Sequence, residues 1–196
     1  MTLTPLIQKA INTACMLHDG QKRKGHGTLP YVSHLFSVAW MIAAHTDDEE
    51  VIAAGLLHDA LEDVKGFGYA QLETDFGGRV AGIVKEVSEE KDPNVAYDKK
   101  TTWEARKREY IERSARLSDE ALLVTAADKI HNLLSTIQNY RIQGEALWGK
   151  FNATKEQQVW FNGEMGKLFR ARKSPLTGEF DAAYNEFSSI AGAQSH

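Results

Sequence analysis

The chain has 196 residues, of which 42% are hydrophobic and 26% charged, with a formal net charge of -4. That is enough apolar content for a sizeable core in one soluble domain; the acidic balance argues against broad nucleic-acid binding while leaving room for a local basic pocket, and no run approaches the roughly 18 apolar residues that cross a bilayer. A single cysteine, Cys15, excludes an intrachain disulfide framework and, with no signal-peptide pattern at the N-terminus, makes the cytoplasm the expected compartment.

Thr4-Pro5 starts a first helix, with Thr as N-cap and Pro at the first position, that runs to about His18 with Cys15 as core filler. Asp19 to Pro30 is rich in glycine and reads as a loop, and its Lys22-Arg23-Lys24 run has the donors to wrap phosphate oxygens. From Tyr31 a helical period returns through Leu35, Val38, Ala39 and Ile42, with His34 at its beginning. Val51 to Asp63 then reads as one largely buried helix, capped by Asp47 or Asp48 and led by Glu49 and Glu50. Into this apolar helix the sequence sets His58-Asp59 and, one turn later, Glu62-Asp63. Such a cluster is costly when dry, and a divalent cation offsets part of its charge.

Beyond Lys65, a short helix near Ala70 to Asp75 is separated by Gly77-Gly78 from an amphipathic helix through Val80, Ile83, Val84 and Val87. Residues 88 to 101 have no period and read as an exposed loop that could serve as a lid. A charged helix runs from Trp103 to about Leu117. Ser118 caps the next one, where an uncharged stretch ends abruptly at Asp128. Gly144 to Gly149 is a connection, Thr154 and Gln157 form a capping box, and a final helix carries Leu176, Phe180, Ala183, Tyr184 and Phe187. The tail from Ala191 to His196 is expected to fray. The expected fold is all-α.

His34, His58-Asp59 and Asp128 thus lie on three helices, each where an apolar pattern turns polar. This His, His-Asp, Asp arrangement resembles the HD superfamily of metal-dependent phosphohydrolases. Gln21-Lys-Arg23-Lys24, Pro30-Tyr31-x-x-His34, Leu56-Leu-His58-Asp59-x-x-Glu62-Asp63, Phe76-Gly-x-x-Val80-Ala, Arg106-Lys107 and Ala127-Asp128-Lys-Ile-His131-Asn132 follow the order found in RelA/SpoT-type alarmone hydrolase domains. The resemblance covers about residues 5 to 140, with further helices at about 153 to 190, and implies an HD-type helical bundle in a single domain acting as a stand-alone small alarmone hydrolase. Between Lys24 and Pro30 the chain departs from the family, with a longer Gly-His-Gly-Thr-Leu spacer.

By that resemblance His34, His58, Asp59 and Asp128 bind the metal, expected as Mn²⁺, and Glu62 and Asp63 position or deprotonate the attacking water. Arg23 and Lys24 match residues that contact the nucleotide and its phosphates, Asn132 one near the ribose, and Ser135 stands where the family often has Thr. The implied reaction removes the 3′-pyrophosphate of guanosine tetra- or pentaphosphate. Mixed imidazole and carboxylate ligands suit a first-row ion such as Mn²⁺ better than a thiolate-type zinc site does. Two alternatives stand beside it: a phosphatase acting on NADPH or another small nucleotide, and a non-catalytic nucleotide-binding module. A purely structural ion site has no need of the second acidic pair, which argues against the module. The expected partner is a small-molecule nucleotide, with no nucleic acid and no membrane; the oligomeric state is left open.

Overall fold

Local signals set the helix starts. The Thr4 hydroxyl accepts the Ile7 N–H at 3.2 Å and Pro5 opens α1 (Pro5–Leu17). There follow α2 (Val32–Ala43), α3 (Glu49–Leu57), α4 (Ala60–Asp63), α5 (Tyr69–Val87), α6 (Trp103–Ser114), α7 (Asp119–Gln143), a 3₁₀ turn (Gly144–Lys150), α8 (Lys155–Ala171) and α9 (Thr177–Gly192). The computed structural model describes residues 2–23, 28–89 and 102–192. Among these the fold is all-α, and extended pairing is confined to an isolated antiparallel bridge between Lys22 and Pro30.

The chain divides into two compact units, one of Met1–Glu90 with Leu117–Asp128 and one of Lys91–Arg116 with Lys129–His196. The first is built around α3, whose residues Val51 to Leu57 are all buried and which packs on α1, α2 and α5. Gly55 permits that closeness: a Cβ there would stand 2.4 Å from Ile42 Cδ1, a fully buried side chain of α2. Asp48 caps α3 by accepting the Glu50 N–H, and Arg79 of α5 reaches Asp48, Glu50 and Glu120 at 2.5 to 2.7 Å. The Arg79 guanidinium holds the Asp48 carboxyl below its ordinary range. In the second unit, Trp103 of α6 meets Trp160 and Phe161 of α8 edge-on, and Phe169 and Phe180 join α8 to α9 at 4.9 Å.

Several expectations are met in detail. Ser118 caps α7 through Ala121 N–H, Thr154 and Gln157 make a reciprocal capping box, and α5 kinks at Gly77, whose φ of 86° favours glycine. Others need correction. The run from Val51 to Asp63 is two helices, because the backbone turns at His58-Asp59 before α4 starts. Cys15 is exposed: the buried face of α1 is Ile7, Ala10 and Ala14, and the next position turns outward. The charged helix α6 stops at Ser114 rather than at Leu117, while α7 continues to Gln143. From residue 90 onward the expected lid lies outside the described residues, as does the tail from residue 193. No helix among the described residues is long and apolar enough to cross a membrane.

A Gly55→Val variant must displace Ile42 within a filled core. It should lose about 1–3 kcal/mol of stability in chemical denaturation, the range found for overpacked cores.

Candidate metal centre

The turn between α3 and α4 does what a continuous helix would not: it brings two adjacent ionisable side chains onto one point. His58 ends α3, and its Nδ1 lies 2.8 Å from the Gly55 carbonyl, so it donates there and the lone pair of the neutral imidazole is on Nε2. That Nε2 is buried and has no hydrogen-bond partner. It lies 3.2 Å from Asp59 Oδ2 and 3.8 Å from Asp128 Oδ1. His34, near the start of α2 and almost wholly buried, brings its own Nε2 to 3.6 Å from the same Asp59 oxygen and 3.2 Å from the same Asp128 oxygen. The four atoms alternate nitrogen and oxygen around a closed ring.

This ring fits a metal ion. Bonds of about 2.1 Å to nitrogen or oxygen place neighbouring ligand atoms roughly 3.0–3.5 Å apart, close to the edges observed. His34, His58 and Asp59 offer atoms that all lie within 4.8 Å of one another, and Asp128 joins them from α7. The buried, unpartnered Nε2 of His58 is the atom that such an ion would satisfy.

The electrostatics are those of buried acids facing imidazoles. Burial opposes charge on His58, but Asp59 and Asp128 outweigh it and push the imidazole up to about 9. Burial lowers His34 below its ordinary value in spite of its contact with Asp128. For Asp59 burial works against ionisation, yet His58 beside it holds the carboxyl well below the usual carboxylate range. Carboxylates that draw a proton onto an imidazole also attract a cation, and the two compete for Nε2.

Around this ring the remaining expected residues are unevenly placed. Arg23 is half-buried, with its guanidinium 5.4 Å from the centre of the Tyr31 ring, and its charge contributes to lowering His34. Glu62 is half-buried and accepts the Glu89 N–H at 2.6 Å, whereas Asp63 is exposed and its backbone carbonyl receives the Gln21 amide at 3.3 Å. Lys24 lies outside the described residues. Asn132 and Ser135 follow Asp128 on α7 but belong to the second unit; Ser135 Oγ is 3.3 Å from His131 Nδ1.

Two contributors were given no role in the sequence reading. Tyr31 donates its hydroxyl to Asp59 Oδ2 at 2.6 Å, and burial followed by the Asp59 charge pushes its phenol far above the ordinary range. Gln21 meets His18 Nδ1 at 2.8 Å while its amide reaches Asp63. The signal was present, since both residues sit inside the motifs at 21 to 24 and 30 to 34, but their partners are distant in sequence.

Comparison with known proteins agrees with this architecture. A family model described as "HD domain" matches residues 10–156. The guanosine-3′,5′-bis(diphosphate) 3′-pyrophosphohydrolase MESH1 of Xenopus tropicalis is 35% identical over 178 residues, 90% of this chain and 91% of that relative. The protein of the same name from Drosophila melanogaster is 35% identical over 127 residues, 64% of this chain and 66% of its own length. A solved structure described as "A metazoan ortholog of SpoT hydrolyzes ppGpp and plays a role in starvation responses" superposes with a TM-score of 0.76 at 26% identity, covering 95% of this chain and 97% of that one. The chain belongs to the HD-domain family, and it is a metal-dependent phosphohydrolase of that class. The HD domain implies a divalent metal ion.

A divalent ion that binds the folded chain should raise its unfolding midpoint, by about 2.7 kcal/mol of stability when free ion is 100-fold above the dissociation constant. Calorimetry with and without Mn²⁺ checks this, and the gain should vanish in His58→Ala.

Proposed function

We propose that this chain hydrolyses the 3′-pyrophosphate of guanosine tetra- or pentaphosphate, giving GDP or GTP and pyrophosphate, with Mn²⁺ as its ion. The observation that carries the reading is the alternating ring of His34, Asp59, His58 and Asp128. It occurs in a chain that shares 35% identity over nine tenths of its length with a protein named for this reaction. Mn²⁺ is favoured by a donor set of two imidazoles and two carboxylates with no thiolate. The two compact units are taken as one functional domain, since the family match at residues 10–156 draws on both. The nucleotide is the expected partner, with no nucleic acid or membrane involved, and the cytoplasm is the compartment that suits the exposed, unpaired Cys15.

In this reading His34, His58, Asp59 and Asp128 hold the ion. When bound, it supplies Lewis-acid charge at a phosphate oxygen and eases deprotonation of water. Glu62 and Asp63 orient the attacking water and accept its proton. The water oxygen attacks the phosphorus attached to the ribose 3′ oxygen, the bond between that phosphorus and the 3′ oxygen breaks, and the 3′ oxygen takes up a proton as pyrophosphate departs. Arg23 and Lys24 offset phosphate charge, Arg23 from its place over Tyr31. Asn132 is assigned to the ribose side of the nucleotide, and Ser135 is assigned to substrate binding.

The test is turnover by the Mn²⁺-loaded protein against guanosine tetraphosphate, NADPH and common nucleotides, with pyrophosphate and orthophosphate measured separately. Pyrophosphate from the tetraphosphate is expected, and the combined Glu62→Gln and Asp63→Asn variant should lose about 10²- to 10⁴-fold in rate while keeping its metal. Orthophosphate from NADPH instead would move the reaction to another substrate, and undiminished turnover in the variant would remove the two carboxylates from the mechanism.

A further inference from the structure

Asp59 immediately precedes α4, with φ of -93° and ψ of -3°, near-helical and unlike the extended backbone from which an N-cap aspartate reaches the first free N–H groups. Here it makes no such side-chain hydrogen bond. Its Oδ2 is instead held at 2.6 Å by the Tyr31 hydroxyl, and this is the oxygen that lies 3.2 and 3.6 Å from the two imidazole nitrogens. The contact spans 28 residues of sequence.

Tyr31 is itself fixed on every side. Its N–H donates to the Gln21 carbonyl at 2.9 Å, beside the Lys22–Pro30 bridge and the Arg23 N–H that donates to the Leu29 carbonyl at 3.0 Å. His18 stacks on its ring at 5.2 Å, and His34 meets it at a steep angle at 5.7 Å. The Arg23 guanidinium lies over the same ring at 5.4 Å. Arg23 is thus tied to the Tyr31 segment both by its backbone and by its guanidinium.

We propose that Tyr31 is a positioning residue that couples the substrate arm to the metal centre: its hydroxyl holds the Asp59 carboxylate toward the histidines, and its ring carries Arg23. The inference rests on the roles proposed above for Asp59 and Arg23. The two contributions separate chemically, because the hydroxyl acts on the ion and the ring acts on the nucleotide.

The experiment measures Mn²⁺ affinity by competition with a chelator, which needs no nucleotide, together with kcat and KM for guanosine tetraphosphate at saturating ion. Tyr31→Phe should weaken Mn²⁺ binding about 10- to 100-fold, the usual cost of losing a partner that orients a ligand. Tyr31→Leu should show the same loss and also raise KM roughly two- to five-fold, as a weak cation–π contact disappears. A p-aminophenylalanine at position 31, which restores a donor on the same ring, should recover affinity. A cooperative unfolding transition in chelator verifies that each variant is folded. Parental Mn²⁺ affinity in Tyr31→Phe, or an aminophenylalanine variant no better than Phe, overturns this inference and leaves the metal site standing. Failure of the parent protein to take up Mn²⁺ sinks the metal reading and this inference together.

Discussion

The structure turns on the meeting of His58 and Asp59 with the otherwise apolar helix that leads to them. Val51 to Leu57 are all buried, and the chain then delivers an imidazole and a carboxylate into the same interior. Charge in such surroundings is unfavourable unless it is paired, and here it is paired twice over, by His34 from α2 and Asp128 from α7. The pairing alone leaves His58 Nε2 without a hydrogen bond. A cation at the centre of the ring would satisfy that nitrogen and offset both carboxylates at once.

The helices of the first unit serve that point. Gly55 lets α3 approach α2 closely enough for His34 and His58 to lie with ring centres 5.2 Å apart, and the Gly55 carbonyl fixes the tautomer of His58. One residue thus bears on both the distance between the two imidazoles and the orientation of one of them. Outside the ring, Gln21, Lys22 and Arg23 pair with Leu29, Pro30 and Tyr31 in a short segment beside the histidines. On the proposed reading the work is divided accordingly, with helices holding the ion and Arg23 beside them meeting phosphate.

What the sequence disclosed, and what it did not, follows from the range of the forces involved. Caps at Thr4, Ser118 and Thr154 and the kink at Gly77 depend on neighbours three or four residues away, and they were legible. His34, His58, Asp59 and Asp128 were also legible, because each breaks an apolar pattern and a resemblance linked them. The turn at Asp59 was not, since its φ of -93° and ψ of -3° lie near helical values and neither proline nor glycine marks it. Tyr31 was hidden for a different reason: its partner Asp59 is distant in sequence, and a tyrosine ahead of a helix looks like packing. Cys15 was misread because one position on a helix separates a buried face from an exposed one.

Pulsed electron paramagnetic resonance of the Mn²⁺-loaded protein tests the central claim most directly, since it counts the nitrogen nuclei bound to the ion. Two imidazole nitrogens, from His34 and His58, are predicted, falling to one when His34 is replaced by Ala. Modulation from no nitrogen, or a signal unaltered by loss of His34, would contradict an ion seated in this ring.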